Sequence, residues 1–375
     1  MPSAIVVGAG VFGAALADRP GEGFEVTLVD RYEPGHEGAE SGGESRLLRF
    51  SHGPDELYAR SAWRARELWL ELEEELGEEL LVKCGVAWLA RRSDGWEAES
   101  EAVLRAAGVP VERLCPQDGA ELFPSLFADD LAFVLHEPAG GVLRAAAATR
   151  ALAERARRRC ARLELGQEAR PDGDAVLLGG RRLEADLVIW ACGAWLASLF
   201  PGLVELRVTR QDVVFFEAPP DWASPPLPAY ADYDGAAYGL GPLDGHGMKV
   251  ALDFDGPPVD PDRRPVEASE ESTRASAGYL AQRFPALAGA RVERSKVCHY
   301  SMTADMGFLF DRHPEHERVW LAGGGSGHGF KHAPAFAERA LAALSGREAP
   351  EPRFALGPRC AGRSLRTAGW SGGDA

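Results

Sequence analysis

Positive charge is what this chain of 375 residues lacks first: 41 lysines and arginines stand against 57 acidic residues, a formal net charge of −16. That balance excludes a nucleic-acid partner, because binding a phosphate backbone needs surplus cations to displace counterions. The single dense basic run, Arg155, Arg157, Arg158 and Arg159, ends a helical pattern. Cations complement the dipole there, and the run reads as a solvated helix end. Paired cysteines are also missing. Cys84, Cys115, Cys160, Cys192, Cys298 and Cys360 show neither CxxC pairing nor a His/Cys ligand spacing, so no metal is expected and the thiols read as free, in a reducing compartment. No apolar run reaches the ~20 residues a bilayer span takes; the longest mostly apolar stretch is 187–200. There is no internal repeat, and no basic segment or cleavage site precedes the first strand pattern. The expectation is a soluble, cytoplasmic, monomeric protein with no membrane partner.

What is present begins at once. Ala4-Ile5-Val6-Val7 is an apolar strand pattern, Gly8-Ala9-Gly10-Val11-Phe12-Gly13 turns it into the small-residue helix Ala14-Ala15-Leu16-Ala17, and 24–29 reads as a second strand ending on Asp30. Gly8 suits the tight turn, Gly10 lets the backbone approach a pyrophosphate, and Gly13 lets helix and strand pack closely. The helix N-terminus then offers free N–H groups and a positive dipole end to phosphates. Asp30 follows Gly13 by 17 residues, where a carboxylate accepts hydrogen bonds from a ribose 2′-OH. The unit is a dinucleotide cradle, and the motif alone leaves NAD and FAD both open.

Further along, Ala62, Ala65, Trp69, Leu72 and Leu76 recur every three or four residues over 58–76, with Glu67, Glu71, Glu74 and Glu78 on another face, which predicts an amphipathic helix. A second helical pattern covers 143–160. Short strands follow around Leu163, Val176 and Arg182, with a hairpin at Gly179-Gly180. The apolar run 187–190, closing on Ala191-Cys192-Gly193, predicts a buried parallel strand that returns to the first sheet. Strands over 208–217 and 237–253, the latter turning at Asp244-Gly245, lack alternating helices and predict a separate, mainly antiparallel sheet. A helix is predicted over 269–284. From Val319 the pattern is strand, glycine loop and helix once more, and 360–375 is small, polar and glycine-rich, which predicts disorder.

Four stretches in order carry a resemblance: Gly8 to Gly13; Ser41-Gly42-Gly43-Glu44-Ser45-Arg46-Leu47-Leu48-Arg49; Lys296-Val297-Cys298-His299-Tyr300-Ser301-Met302-Thr303; and Ser326-Gly327-His328-Gly329-Phe330-Lys331. The chain resembles the monomeric sarcosine oxidase and N-methyltryptophan oxidase branch of the D-amino-acid-oxidase-like flavoproteins. The resemblance implies an α/β fold in which a Rossmann-like FAD-binding domain of the glutathione-reductase or p-hydroxybenzoate-hydroxylase kind is interleaved with an α+β substrate domain. The FAD-binding part is expected at 1–83, 140–205 and 305–359, and the substrate part at 84–139 and 206–304.

By the same resemblance FAD is held by Gly8, Gly10, Val11, Phe12, Gly13, Asp30, Arg31, Gly43, Arg46, Gly325, Gly327, His328, Gly329, Phe330 and Lys331. It is bound covalently, through a thioether from Cys298 to the 8α carbon. On a lone strand Cys298 would read as a buried structural cysteine. Arg49 and Lys331 match positions that clamp a substrate carboxylate, a fork and a point charge holding one anion. Tyr238 lines the substrate site, Arg46 sits near the flavin ring, and Lys249 is the oxygen-activating cation, although by itself it reads as a strand lysine facing water.

The chain departs from the branch where Asp253 and Gly42 stand in place of histidines. Asp253 is expected to make the site more acidic and to meet a cationic amine or a basic substrate side chain, while Gly42 is expected to leave more room or another flavin contact. The implied activity is oxidation of a carboxylate-bearing secondary, N-methyl or cyclic imino acid to an imine, with O2 reduced to H2O2 and Lys249, Arg46, Asp253 and Tyr238 in the catalytic site. Two alternatives stay open: a dehydrogenase with another electron acceptor, and a flavin-binding redox module without turnover.

Overall fold

The computed structural model describes residues 1–19 and 24–368. Six strands form one sheet in the order Leu309–Arg312, Val319–Gly323, Leu187–Trp190, Ser3–Val7, Glu25–Asp30 and Arg162–Leu165. All neighbours run parallel except the first pair. A parallel strand covered on both faces shows no alternation, and Ala4 to Val7 and Leu187 to Trp190 are buried throughout. Helix Val11–Asp18 packs against helices Ala145–Arg158 and Ala333–Leu344.

The predicted amphipathic helix spans Glu56–Leu76. It starts where the Asp55 side chain accepts from Tyr58 N and stops where Gly77 takes φ 72°, the left-handed conformation glycine adopts freely. Ala62, Ala65, Trp69 and Leu72 form its buried face, as the spacing requires. The basic run departs from its expected role at one position. Arg155 is buried and pairs bidentately with buried Asp18, at 2.6 Å and 2.8 Å, because its helix lies against the end of Val11–Asp18. Arg157 and Arg158 stay outside, on Glu154.

An eight-stranded sheet runs Val292–Met302, Arg207–Phe216, Met248–Leu252, Ala237–Leu240, Ala229–Asp232, Val86–Ala90, Phe133–Glu137 and Glu112–Leu114. It is antiparallel apart from the pair Ala229–Asp232 with Val86–Ala90. The hairpin that carries Tyr238 and Lys249 turns at Asp244 (φ 51°) and Gly245 (φ 80°), two positive values that suit the twist of the flanking strands. A small sheet of Ser45–Leu48, Gly141–Arg144 and Leu81–Val82 presents Arg46 and leads directly into Arg49.

The stretch predicted to be disordered departs from that expectation over 364–367, where Ser364, Leu365, Arg366 and Thr367 are buried. Trp96 Nε1 donates to Ser364 O at 3.1 Å, and Leu365 joins the main apolar core. Window composition averages away one leucine and one arginine that each find a buried partner. Residues 360–363 and 368 are exposed and in no helix or strand, and 369–375 lie outside the described residues. Among the described residues no helix is long and apolar enough to cross a membrane.

Candidate active site

The glycine turn lines a cavity of about 280 Å3. Gly8 has φ 106°, and a Cβ there would lie 2.4 Å from Ala191 O. A Cβ on Gly13 would lie 1.7 Å from Gly8 O, so strand and helix touch through backbone alone. Asp30 lines the cavity and is oriented by two backbone donors, Ala9 N at 2.5 Å and Tyr32 N at 2.8 Å. Burial raises its pKa above the ordinary carboxylate value. Arg31 pairs with Asp262 at 2.5 Å and lies over the Trp195 ring. Farther along, Gly325, Gly327, Gly329 and Phe330 complete the lining, and a Cβ on Gly329 would come within 2.8 Å of Gly325 Cα. A cavity lined by glycines at which no side chain could be carried, with an acid on its wall, fits a dinucleotide.

The cavity meets a smaller chamber of about 60 Å3, and Arg46, Tyr300, Gly327 and Phe330 border both. Arg46 donates to the carbonyls of Ser45, Glu40 and Gly42. Beyond it, Arg49, Lys331, Tyr238 and Asp253 line the chamber. Arg49 is 7% exposed and Lys331 2%. Each donates to backbone carbonyls, Arg49 to Ser51 O and Leu365 O and Lys331 to His328 O at 2.9 Å, and neither has an ion-pair partner among the described residues. Burial pushes Arg49 down to about 10 and Lys331 well below the ordinary lysine value. The Tyr238 and Tyr300 hydroxyls are 3.1 Å apart. Burial raises both phenols, which therefore stay protonated and act as hydrogen-bond donors.

Lys249 is 2% exposed, which excludes a water-facing strand lysine. It donates to Ser45 O and Ser45 Oγ at 3.3 and 3.2 Å and lines a third cavity of about 210 Å3 together with Gly43, Glu44 and Phe215. Burial, then Arg46 and Lys296, push its pKa down to about 7. Glu44 does not neutralise it, being taken by Lys296 and Arg294. Cys298 packs with Tyr238 beside Val213, Phe215 and Ala251, close enough to Arg46 and Lys249 to influence both charges, and lies off the lining of these three cavities.

Several expectations need correction. Asp253 offers no free carboxylate to a cationic amine, because the Arg366 guanidinium pairs with it. Gly42 leaves no room, since a Cβ there would lie 2.2 Å from His36 O. The His328 and Lys331 side chains line the substrate chamber instead of the long cavity. His328 Nε2 meets Met306 O at 2.9 Å, and its ring stands with His52 and His332 in a buried group whose ring nitrogens lie within 4.8 Å of one another. Sequence spacing does not reveal that juxtaposition. Burial, followed by the Lys331 charge, holds all three imidazoles neutral.

Three residues of the site were not foreseen. Glu40 accepts from Ser301 N at 2.5 Å and is pushed up to about 7 by burial. His299 lines the long cavity and is pushed down to about 4 by burial and then Arg264. Both adjoin recognised motifs, which was the available signal; Arg366 had none.

A glycine-walled cavity that meets a cation-lined chamber has the form of a dinucleotide-binding site. The model of the DAO family, FAD dependent oxidoreductase, matches residues 3–344, and the chain belongs to that family. FAD is therefore the cofactor of the cradle. The chain is 29% identical over 350 residues to monomeric sarcosine oxidase of Bacillus sp. (strain B-0618), across 89% of this chain and 90% of that protein. It is 28% identical over 360 residues to N-methyl-L-tryptophan oxidase of Yersinia pestis (strain Pestoides F), across 93% and 95%. Among solved structures, L-proline dehydrogenase from P. horikoshii shares the fold with a TM-score of 0.82 at 21% identity over 94% of this chain and 95% of that one. A modified fructosyl peptide oxidase from Aspergillus nidulans does so with 0.83 at 19% over 98% and 96%.

Proposed function

We propose that this protein oxidises the C–N bond of a small secondary, N-methyl or cyclic imino acid to an imine and passes the electrons to O2. One hydrogen leaves carbon, one leaves nitrogen, and both appear with two electrons in H2O2. The observation that carries the reading is the pair Arg49 and Lys331, two buried cations without a carboxylate partner among the described residues, in a chamber that borders the cofactor cavity. Buried cations without an anion are costly, so an anionic ligand is expected between them. A chamber of about 60 Å3 favours a small ligand over one bearing a large aromatic group. FAD, when bound, supplies the acceptor for the hydride equivalent and the route of the electron pair to O2.

The chain's own residues supply the rest. Arg49 and Lys331 hold the carboxylate, which orients the neighbouring C–H. Tyr238 and Tyr300, kept protonated, offer donors beside it. Lys249 places a cation where charge develops as neutral O2 accepts an electron. Cys298 is the residue we assign to the thioether with FAD, and its nearness to Arg46, Lys249 and Tyr238 supports that. The test is an anaerobic screen of N-alkyl and cyclic amino acids, watching flavin absorbance, followed by peroxide measurement in air. Bleaching with peroxide is expected. Bleaching without peroxide would instead indicate a dehydrogenase, and no bleaching with any amine would overturn the reading. Acid-precipitated protein should stay yellow and Cys298→Ala should release the colour; a colourless wild-type pellet would remove the covalent bond from the account.

A further inference from the structure

Arg366 comes from a stretch with no motif, yet it enters the substrate chamber. The side chain is 5% exposed, and its guanidinium lies over the Tyr300 ring, 4.8 Å from the centroid. One nitrogen, Nη1, is spent on Asp253. The other two, Nε and Nη2, are buried and have no hydrogen-bond partner among the described residues. Adjacent Leu365 accepts from Arg49 Nη2 at 3.2 Å, so the segment that delivers Arg366 is tied to the carboxylate clamp.

The charges do not balance. Arg46, Arg49, Lys331 and Arg366 line the chamber and Asp253 is the carboxylate that lines it with them. Glu137 lies behind, its oxygens committed to Phe50 N, Ser51 N and Trp88 Nε1. With Lys331 charged, four cations against two carboxylates leave positive charge in excess. A simple amino acid enters as a zwitterion and cancels none of it. One bearing a second carboxylate enters with a net charge of −1 and offsets part of it. Two unpartnered guanidinium donors in a fixed plane match a carboxylate's two oxygens, and leaving such buried donors unpaired is costly.

Building on the amine-oxidising reading above, we propose that the preferred substrates are short dicarboxylic secondary amino acids, with one carboxylate on Arg49 and Lys331 and the second on Arg366. Arg366 is then a specificity residue and Asp253 holds its guanidinium in place. N-carboxyalkyl glycines and N-methyl derivatives of acidic amino acids belong to this class, and sarcosine lacks the second group.

The test uses the FAD-loaded enzyme and two ligands that cannot be oxidised as amines, because sulfur replaces nitrogen: methylthioacetate with one carboxylate and thiodiacetate with two. Binding is read from perturbation of the flavin spectrum and independently by calorimetry. Wild type should bind thiodiacetate at least about tenfold more tightly than methylthioacetate, the low end of one charge-assisted contact. Arg366→Met should bring that ratio near unity. Arg366→Lys, which keeps the charge but not the fork, should give an intermediate ratio and guards against a misfolded methionine variant. Equal affinities in wild type, or a ratio unchanged in both variants, would overturn the proposal. Amine oxidation is judged separately: bleaching by sarcosine alone would support the general reading while sinking this one, and tight thiodiacetate binding with no bleaching by any amine would do the reverse.

Discussion

In the cradle the backbone does the work. Gly8, Gly13 and Gly329 matter because a single methyl group at each would collide with main-chain atoms, and the strand, turn, helix and acid that begin the cradle lie within the first 30 positions. In the chamber side chains do the work, and Arg49, Trp88, Tyr238, Asp253, Lys331 and Arg366 arrive from five separate stretches of the chain. The first kind of site fails by steric exclusion and therefore all at once. The second is a sum of charges and hydrogen bonds and fails by degrees, one contact at a time.

Gly13→Ala is the sharpest way to test that contrast. The new methyl would sit 1.7 Å from Gly8 O, a main-chain atom that cannot swing aside. The variant should be recovered with essentially no flavin, read from the visible spectrum of the purified protein. A normal flavin content would show that the cradle is more plastic than its backbone contacts imply.

Lys249→Met should leave anaerobic reduction by substrate comparatively intact and slow reoxidation by O2 by about 10²–10³, the usual effect of removing one preorganised stabiliser. Stopped-flow traces separate the two half-reactions. The pH dependence has a definite sign. Lys249 is charged below its pKa, which burial lowers to about 7, and loses the charge above it. Reoxidation should therefore fall as pH rises past neutrality in wild type and stay flat in the methionine variant.

Chamber contacts should show smaller, graded effects. Lys331→Met should raise KM for amino acids by about tenfold or more, taking 1.5 kcal/mol as the low end of a charge-assisted bond. Equal turnover of an amino acid and its methyl amide would count against the clamp. Tyr238→Phe removes one neutral hydrogen bond, to Tyr300 at 3.1 Å. A loss of about 0.5–1.5 kcal/mol, roughly 2- to 10-fold in kcat/KM, is expected, and anything near a thousandfold would mean that the phenol has a chemical role.

The same contrast explains what could be read before the structure. Strand, glycine turn, helix and acid are local, and each has a steric or electrostatic reason visible in a few residues, so the cradle and the parallel sheet were legible. Arg49, Lys331, Tyr238 and Lys249 were singled out only through resemblance, since nothing in a strand lysine announces that it is buried. Arg155 was misread because a helix end looks solvated until another helix lies on it. Asp253 was placed in the chamber and given the wrong partner, for the arginine that meets it stands 113 positions away in a stretch that composition marks as unstructured. Pairings over such distances leave no periodic trace.

Lys331 carries a thermodynamic consequence. Burial, and then Arg49, hold its pKa well below the usual lysine value, so above that pKa the empty chamber contains a neutral amine. An arriving carboxylate favours the ammonium and lifts the pKa again. Ligand binding is then linked to proton uptake: between the free and bound pKa values affinity should weaken with rising pH, by as much as about tenfold per unit. Calorimetry in two buffers of different ionisation enthalpy counts the protons directly. Wild type should take up a fraction of a proton per carboxylate bound, and Lys331→Met should take up less. A carboxylate reaching this chamber draws a proton in behind it, and the charge on Lys331 is fullest while the chamber is occupied.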